Sequence, residues 1–345
     1  MNVSNRPKLE EVRISITEKC NLSCHYCYDV ANPNHSPSVD KNISLEDIKY
    51  IVDTGKKQGL ETMSFTGGEP LLALPLLTKA IAYCKSQGLR TGLLTNGTLI
   101  TRATAKEIAE AGLSWARISL DGSCNEVNSR TRGSNESSFQ TIVDAIDLFV
   151  EQGVPVILRP TITIQNYQDL ENLVTFAIQH NVQKIDMQPY IPLGDGRDQK
   201  FIISSDEHAQ IVDELMWLRG EYGRELEIVC YSGWFEFLFP SYDDVTPYLS
   251  RCGRGFIFVD HNGDIKPCAP TMKVLGNIHD RNFLKVFSKD PFLEKIRSPE
   301  AYGVCGTCDA FDGLCQQCPA PTYNMTGTLD CPPVLCPKAR MEGEA

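Results

Sequence analysis

Between residues 12 and 190, short runs rich in β-branched residues alternate with amphipathic segments of helical period, which restricts the chain to folds with a parallel sheet and helices outside it. "VRISIT" (12–17) reads as the first strand. Ser44 reads as a helix N-cap, with Asp47 three residues on, and Leu45, Ile48, Ile51 and Val52 give one apolar face up to the breaker Gly59. The next strands are "TMSF", "RTGLLT", "WARISL", "VPVILRPTITI" and "QKIDMQPYI". Between them lie the helices "LLTKAIAYCKSQG", "TRATAKEIAEAG", "SSFQTIVDAIDLFVEQG" and "NYQDLENLVTFAIQHN". The six βα repeats fit an open doubly wound sheet or an incomplete barrel. Either fold collects ligands at the carboxyl ends of its strands, so the residues that follow each strand form the candidate site.

A helical link, "SSDEHAQIVDELMWLRGEYG", follows, and beyond about residue 240 the pattern changes to short strands, turns and cysteines. "VDHNGDIKPC" reads as a hairpin around Asn262-Gly263. Two domains are expected, residues 1–235 and 236–345. The net charge of −11, with basic residues scattered, offers no footprint for a phosphate backbone or an anionic lipid surface. No signal-peptide pattern opens the sequence, and no run approaches the ~18 apolar residues of a membrane span. The cytoplasm is the expected location, with neither nucleic acid nor membrane as a partner.

Fourteen cysteines need an explanation there, because disulfides do not persist in a reducing compartment and close spacings are more often metal sites. Three stand at 20, 24 and 27, in "CNLSCHYC", directly after the first strand. Soft sulfur ligands suit zinc or an iron–sulfur cluster. A structural zinc site needs a fourth ligand; His25 is crowded between Cys24 and Cys27, and His35 lies in the Pro/Ser-rich "NPNHSPS". A cubane on three thiolates leaves one iron open to a small molecule.

C-x3-C-x2-C with an aromatic, Tyr26, before the last cysteine resembles the signature of the radical S-adenosylmethionine (SAM) enzymes. The resemblance implies a partial (β/α)6 TIM-like barrel and a [4Fe-4S] cluster on Cys20, Cys24 and Cys27 whose fourth iron chelates SAM. "FTGGEP" after the second strand is similar to the family's glycine-rich motif, which implies that Gly67, Gly68 and Glu69 contact the amino end of SAM. Asn96 closes the third strand, and Ser119 and Asp121 close the fourth in "ISLDG", resembling the segment near the ribose and carboxylate of SAM. Arg132 resembles an arginine that pairs with that carboxylate, with Arg130 an equal rival by position. Thr163, Asn166 and the backbone around Pro189 to Pro192 resemble the adenine side. The chemistry implied is reductive cleavage of SAM to a 5'-deoxyadenosyl radical that abstracts hydrogen from a substrate, with an electron donor such as flavodoxin or ferredoxin.

From Cys252 the spacing resembles the SPASM domain, a small α+β module with auxiliary iron–sulfur clusters. Family usage implies one or two auxiliary [4Fe-4S] clusters, the first on Cys252, Cys268 and Cys318, the second on Cys305, Cys308, Cys315 and a late cysteine. Here the central spacing is C-x2-C-x6-C-x2-C rather than the usual C-x2-C-x5-C-x3-C, and both Cys331 and Cys336 are candidates for the last ligand, Cys336 being favoured. A zinc knuckle is the alternative for this region.

Cys124, just beyond "SLDGS", is a candidate hydrogen-atom donor, or a loop thiol without a role; Cys84, on the apolar side of a helix, reads as a core thiol. Three functions compete. The favoured one is maturation of a ribosomal peptide by crosslinking, epimerisation or oxidation. The second is the same chemistry on a small molecule, such as an aminocyclitol, an amino sugar or a tetrapyrrole side chain. The third, a non-enzymatic iron–sulfur carrier, gives no reason for "TGGEP" and the strand-end pattern.

Overall fold

A computed structural model of the chain describes residues 7–27, 43–133, 135–190, 199–230, 252–298 and 319–330. In chain order its elements are β1 (Glu11–Ser15), α1 (Leu45–Gly55), β2 (Thr62–Thr66), α2 (Leu74–Ser86), β3 (Arg90–Thr95), α3 (Arg102–Ala111), β4 (Trp115–Ile118), α4 (Asn125–Arg132), α5 (Glu136–Glu151), β5 (Val156–Leu158), β6 (Thr161–Ile162), α6 (Leu170–Gln179), β7 (Lys184–Pro189), α7 (Ser205–Tyr222) and β8 (Glu227–Cys230). The later ones are β9 (Phe256–Val259), β10 (Asp264–Lys266), β11 (Gly276–Asn277), α8 (Phe283–Lys289), α9 (Pro291–Arg297) and α10 (Pro319–Thr326). The chain divides into two compact units. A barrel unit takes Ser15–Val39 and Ser64–Tyr231, and a terminal unit takes Met1–Ile14, Asp40–Met63 and Ser232–Ala345.

In the barrel unit β3, β4, β5 and β7 pair in parallel in that order, and β8, which the sequence pattern does not mark, joins the far edge of β7. The expected strand "VPVILRPTITI" is split into β5 and β6 at Pro160, which has no N–H to give a ladder. Both halves still pair with β7, Leu158 beside Ile185 and Thr161 beside Gln188. The register aligns Thr95, Ile118, Leu158 and Ile185 on one face. That face packs on helices: the space beside Gly97 is closed by Ile118 together with Ile142 and Ala145 of α5. Alternation then turns Arg117, Asp186 and Gln188 to the opposite face.

The terminal unit orders its strands β11–β10–β9–β1, with β1 parallel to β9 and β9 antiparallel to β10. The expected hairpin forms, with Gly263 at φ 84° in its turn. The expected cap of α1 is a capping box: the Asp47 N–H donates to Ser44 Oγ (3.2 Å) and the Ser44 N–H to Asp47 Oδ2 (3.1 Å).

Cys305, Cys308, Cys315, Cys318, Cys331 and Cys336 lie outside the described residues, as do His35 and Pro192. Among the described residues no helix is long and apolar enough to cross a membrane.

Candidate active site

Cys20, Cys24 and Cys27 occupy the loop after β1, and none of the three is in a disulfide. Backbone bonds hold the loop: His25 N–H donates to Thr131 O (3.0 Å), Cys27 N–H to Cys24 O (3.2 Å) and Leu22 N–H to Cys20 Sγ (3.4 Å). The segment leading into it rests on the glycine motif, where Gly68 N–H donates to Thr17 O (2.9 Å) and Glu69 N–H to Lys19 O (2.7 Å). A Cβ on Gly67 would lie 2.6 Å from Thr17 O, and one on Gly68 2.3 Å from Lys19 O, so the glycines admit the cysteine loop's own backbone. Desolvation pushes the Cys20 and Cys24 thiols above their ordinary value, while the Arg132 charge draws Cys24 the other way. Three soft thiol donors on one short loop are the chemistry an iron–sulfur cluster takes, although among the described residues no three His, Cys, Asp or Glu side chains are drawn together as a metal site.

Glu69 is fully buried and its carboxylate is held by its own chain. Oε1 accepts from the Thr95 hydroxyl (2.8 Å) and the Leu71 N–H (3.1 Å), and Oε2 from the Asn96 N–H (2.8 Å). Burial raises its pKa despite these donors. Glu69 thus ties the end of β2 to the end of β3. The Asn96 side chain donates to Asn21 Oδ1 (2.9 Å) and lies 4.0 Å from Cys20 Sγ, linking β3 to the cysteine loop.

Asp121, Arg132 and Tyr26 form the second bracket. Arg132 Nη1 donates to the Tyr26 hydroxyl (2.7 Å) and stands 3.7 Å from Asp121 Oδ2. Asp121 also accepts from Thr131 Oγ1 (2.9 Å) and the Thr161 N–H (2.9 Å). Although burial alone would lower it, Tyr26, Cys24 and Asp121 keep Arg132 above its ordinary range; desolvation raises the Tyr26 phenol. Arg132 is buried and its Nε has no hydrogen-bond partner, whereas Arg130 is exposed and paired with Glu126 (2.8 Å). The geometry separates two arginines that position alone left equal. Asn166 is taken up by the fold, donating to Asp121 O (2.7 Å) and Thr161 O (2.9 Å) and accepting from the Thr163 N–H (2.7 Å) and hydroxyl (3.0 Å). Ser119 is half-buried at the end of β4, its N–H on Thr95 O (3.0 Å).

Cys124 is exposed at the N-cap of α4 and makes no capping bond. Cys84 is a core thiol, as expected, and burial pushes its pKa to about 12. Sequence reading missed Arg117, Arg159, Asp186 and Gln188, which meet on the sheet face away from the helices. Their signal was legible: "KIDMQ" alternates polar residues with Ile185 and Met187 inside an otherwise buried strand.

In the terminal unit, Cys268 is buried with Phe256, Phe258 and Ala320, and Cys252 packs against the same group. Two thiols sixteen residues apart are thus brought to one apolar patch. Cys268 Sγ lies 2.8 Å from Thr271 Oγ1, and α10 begins directly after Cys318.

Two family models match the chain: "Radical SAM superfamily" over residues 14–177 and SPASM, "Iron-sulfur cluster-binding domain", over residues 251–309. The chain belongs to the radical SAM superfamily. It is therefore a SAM-dependent iron–sulfur enzyme with the partial-barrel fold and a C-terminal SPASM domain. The AdoMet-dependent heme synthase of Oleidesulfovibrio alaskensis is 27% identical over 347 residues, covering 96% of this chain and 87% of that protein. Mycofactocin maturase MftC of Mycobacterium tuberculosis is 25% identical over 336 residues, 95% of this chain and 82% of that one. The fold is shared with Streptococcus suis SuiB bound to S-adenosylmethionine, at a TM-score of 0.78 and 18% identity, covering 96% of this chain and 78% of that one.

Proposed function

We propose that this radical SAM enzyme removes a hydrogen atom from a C–H bond of a tetrapyrrole side chain. The observation that carries the substrate class is the likeness to AdoMet-dependent heme synthase along 96% of the chain. When bound, the cluster and SAM supply reductive cleavage to the 5'-deoxyadenosyl radical, with the electron taken from a small flavin or iron–sulfur protein. Cys20, Cys24 and Cys27 would hold the cluster. Arg132, buried with a donor to spare at Nε, is the residue for the SAM carboxylate. Gly67, Gly68 and Glu69 set the backbone at its amino end, and Ser119, Asp121, Thr163 and Asn166 shape the ribose and adenine side. Cys252 and Cys268, with Cys318, would hold one auxiliary cluster, and Cys305, Cys308 and Cys315 with Cys336 or Cys331 a second. The cytoplasm is the proposed location.

Peptide maturation is the second reading, favoured by the likeness to mycofactocin maturase over 95% of the chain. Anaerobic assays with SAM and dithionite separate the two. Iron-coproporphyrin III should raise 5'-deoxyadenosine formation and be converted, and Cys24→Ala should abolish both. A response to peptides alone would overturn the tetrapyrrole reading. Reconstitution should give on the order of twelve irons per chain; about four irons with bound zinc would remove the auxiliary clusters.

A further inference from the structure

Cys268 opens a tight turn in the terminal unit. The Thr271 N–H donates to Cys268 O (3.3 Å), and the Thr271 hydroxyl lies 2.8 Å from Cys268 Sγ. Thr271 is 1% exposed, and its hydroxyl has no other partner among the described residues. The turn is clamped by one side chain. Asn324 of α10 donates to Pro270 O (2.7 Å) and accepts from the Met272 N–H (2.8 Å), so it grips the backbone on both sides of Thr271.

A thiol and a hydroxyl can each donate, so distance alone leaves the direction of the Thr271–Cys268 bond open. Ligation decides it. A cysteine binds metal as the thiolate, which has no proton to give, and the Thr271 hydroxyl is then the donor. Burial keeps water from competing for that proton, and the Asn324 clamp keeps the turn from swinging away. The surroundings suit a soft-ligand centre. Cys268 is buried with Phe256, Phe258 and Ala320, Cys252 packs against the same apolar patch, and both cysteines lie within the iron–sulfur domain match at residues 251–309. A hydrogen bond is electrostatically stronger in such a medium than in water. Reduction by one electron adds negative charge to a cluster and its sulfurs, so a donor to one sulfur stabilises the reduced form more than the oxidised one. The reduction potential rises as a result.

We propose that Thr271, held in place by Asn324, donates a hydrogen bond to the Cys268 sulfur of an auxiliary cluster and sets that cluster's reduction potential. Thr271 is a positioning residue that acts through the ligand. The proposal rests on the assignment of Cys268 to an auxiliary cluster and is independent of the substrate class.

The test is a dithionite titration of the reconstituted full-length enzyme, followed by electron paramagnetic resonance, with iron counted in every sample. The auxiliary signals are those that added SAM leaves unmoved. Thr271→Val keeps the side-chain shape and removes the hydroxyl. It should retain on the order of twelve irons per chain and lower one auxiliary midpoint by about 40 mV, roughly a fivefold shift in a one-electron equilibrium. Thr271→Ser keeps the hydroxyl and should stay at the wild-type value. Full iron with unchanged midpoints in Thr271→Val would overturn the proposal alone. About four irons per chain in wild type would overturn the auxiliary-cluster reading and the proposal with it. Where Thr271→Val loses iron, Asn324→Ala decides. With the turn released, the same midpoint should fall while iron is retained, and an unchanged midpoint would overturn the proposal.

Discussion

The Glu69 carboxylate sits among three donors from its own chain, and its burial still raises its pKa above the ordinary carboxylate value. With the folded value above the unfolded one, its contribution to stability is fully present below the ordinary pKa and is lost as pH rises through the raised one. Glu69→Gln has no such titration. It should remove this part of the decline as pH rises above the ordinary carboxylate value, at a fixed cost of about 1–3 kcal/mol for turning an amide N–H toward a donor. Urea unfolding of both proteins across that range measures it, and curves of equal slope would refute it. Arg132 and Arg130 give a second contrast. Arg132→Ala leaves Asp121 and the Tyr26 hydroxyl without their cation, and SAM-dependent 5'-deoxyadenosine formation should fall about 10–100-fold. Arg130→Ala removes an exposed pair worth at most about 1 kcal/mol and should leave turnover nearly unchanged. The same two-residue spacing that hid this difference in the sequence separates a buried face of α4 from an exposed one. The thiols, by contrast, were legible because three soft ligands in eight residues have few other uses.

At the scale of elements, alternating pattern and cap chemistry located β1, α1 and the hairpin turn, because each is decided by neighbours in sequence. The break between β5 and β6 depends on one missing N–H at Pro160, and β8 exists because β7 offers it an edge; neither follows from local periodicity. The glycine motif belongs at this scale too. Gly68 lies against the carbonyls of Glu18 and Lys19, which are backbone and cannot rotate aside. Gly68→Ala should push the cysteine loop off its seat, costing about four irons per chain on reconstitution. Gly153→Ala provides the control: nothing lies within 4 Å of its Cβ, and only φ of +69° opposes it, at about 1–2 kcal/mol. Iron analysis and thermal melting should show cluster loss in the first variant and only a lower melting temperature in the second.

At the scale of the whole molecule, the sequence divides near residue 235, but compactness gathers the first strand and helix with the C-terminal region. The pairing explains why. β1 lies parallel to β9 from Glu11 beside Phe256 to Ile14 beside Val259, and the N–H groups of Glu10 and Glu11 both donate to Gly255 O (2.8 and 2.9 Å). Nearby, Ile43 N–H donates to His261 O (3.1 Å), Phe283 N–H to the Tyr50 hydroxyl (3.3 Å), and Arg281 stacks over the Tyr50 ring (4.5 Å). Contacts made across more than two hundred residues leave no trace in a local pattern. They do predict what truncation does. A chain ending at residue 235 exposes the β1 edge, with Val12 and Ile14 no longer covered, and an unpaired apolar edge is a template for aggregation. Residues 1–235 alone should be largely insoluble and lack a cooperative urea transition, and co-expression with 236–345 should restore soluble protein. A monomeric 1–235 fragment with a sharp transition would show instead that β1 and α1 need no partner from the C-terminal region.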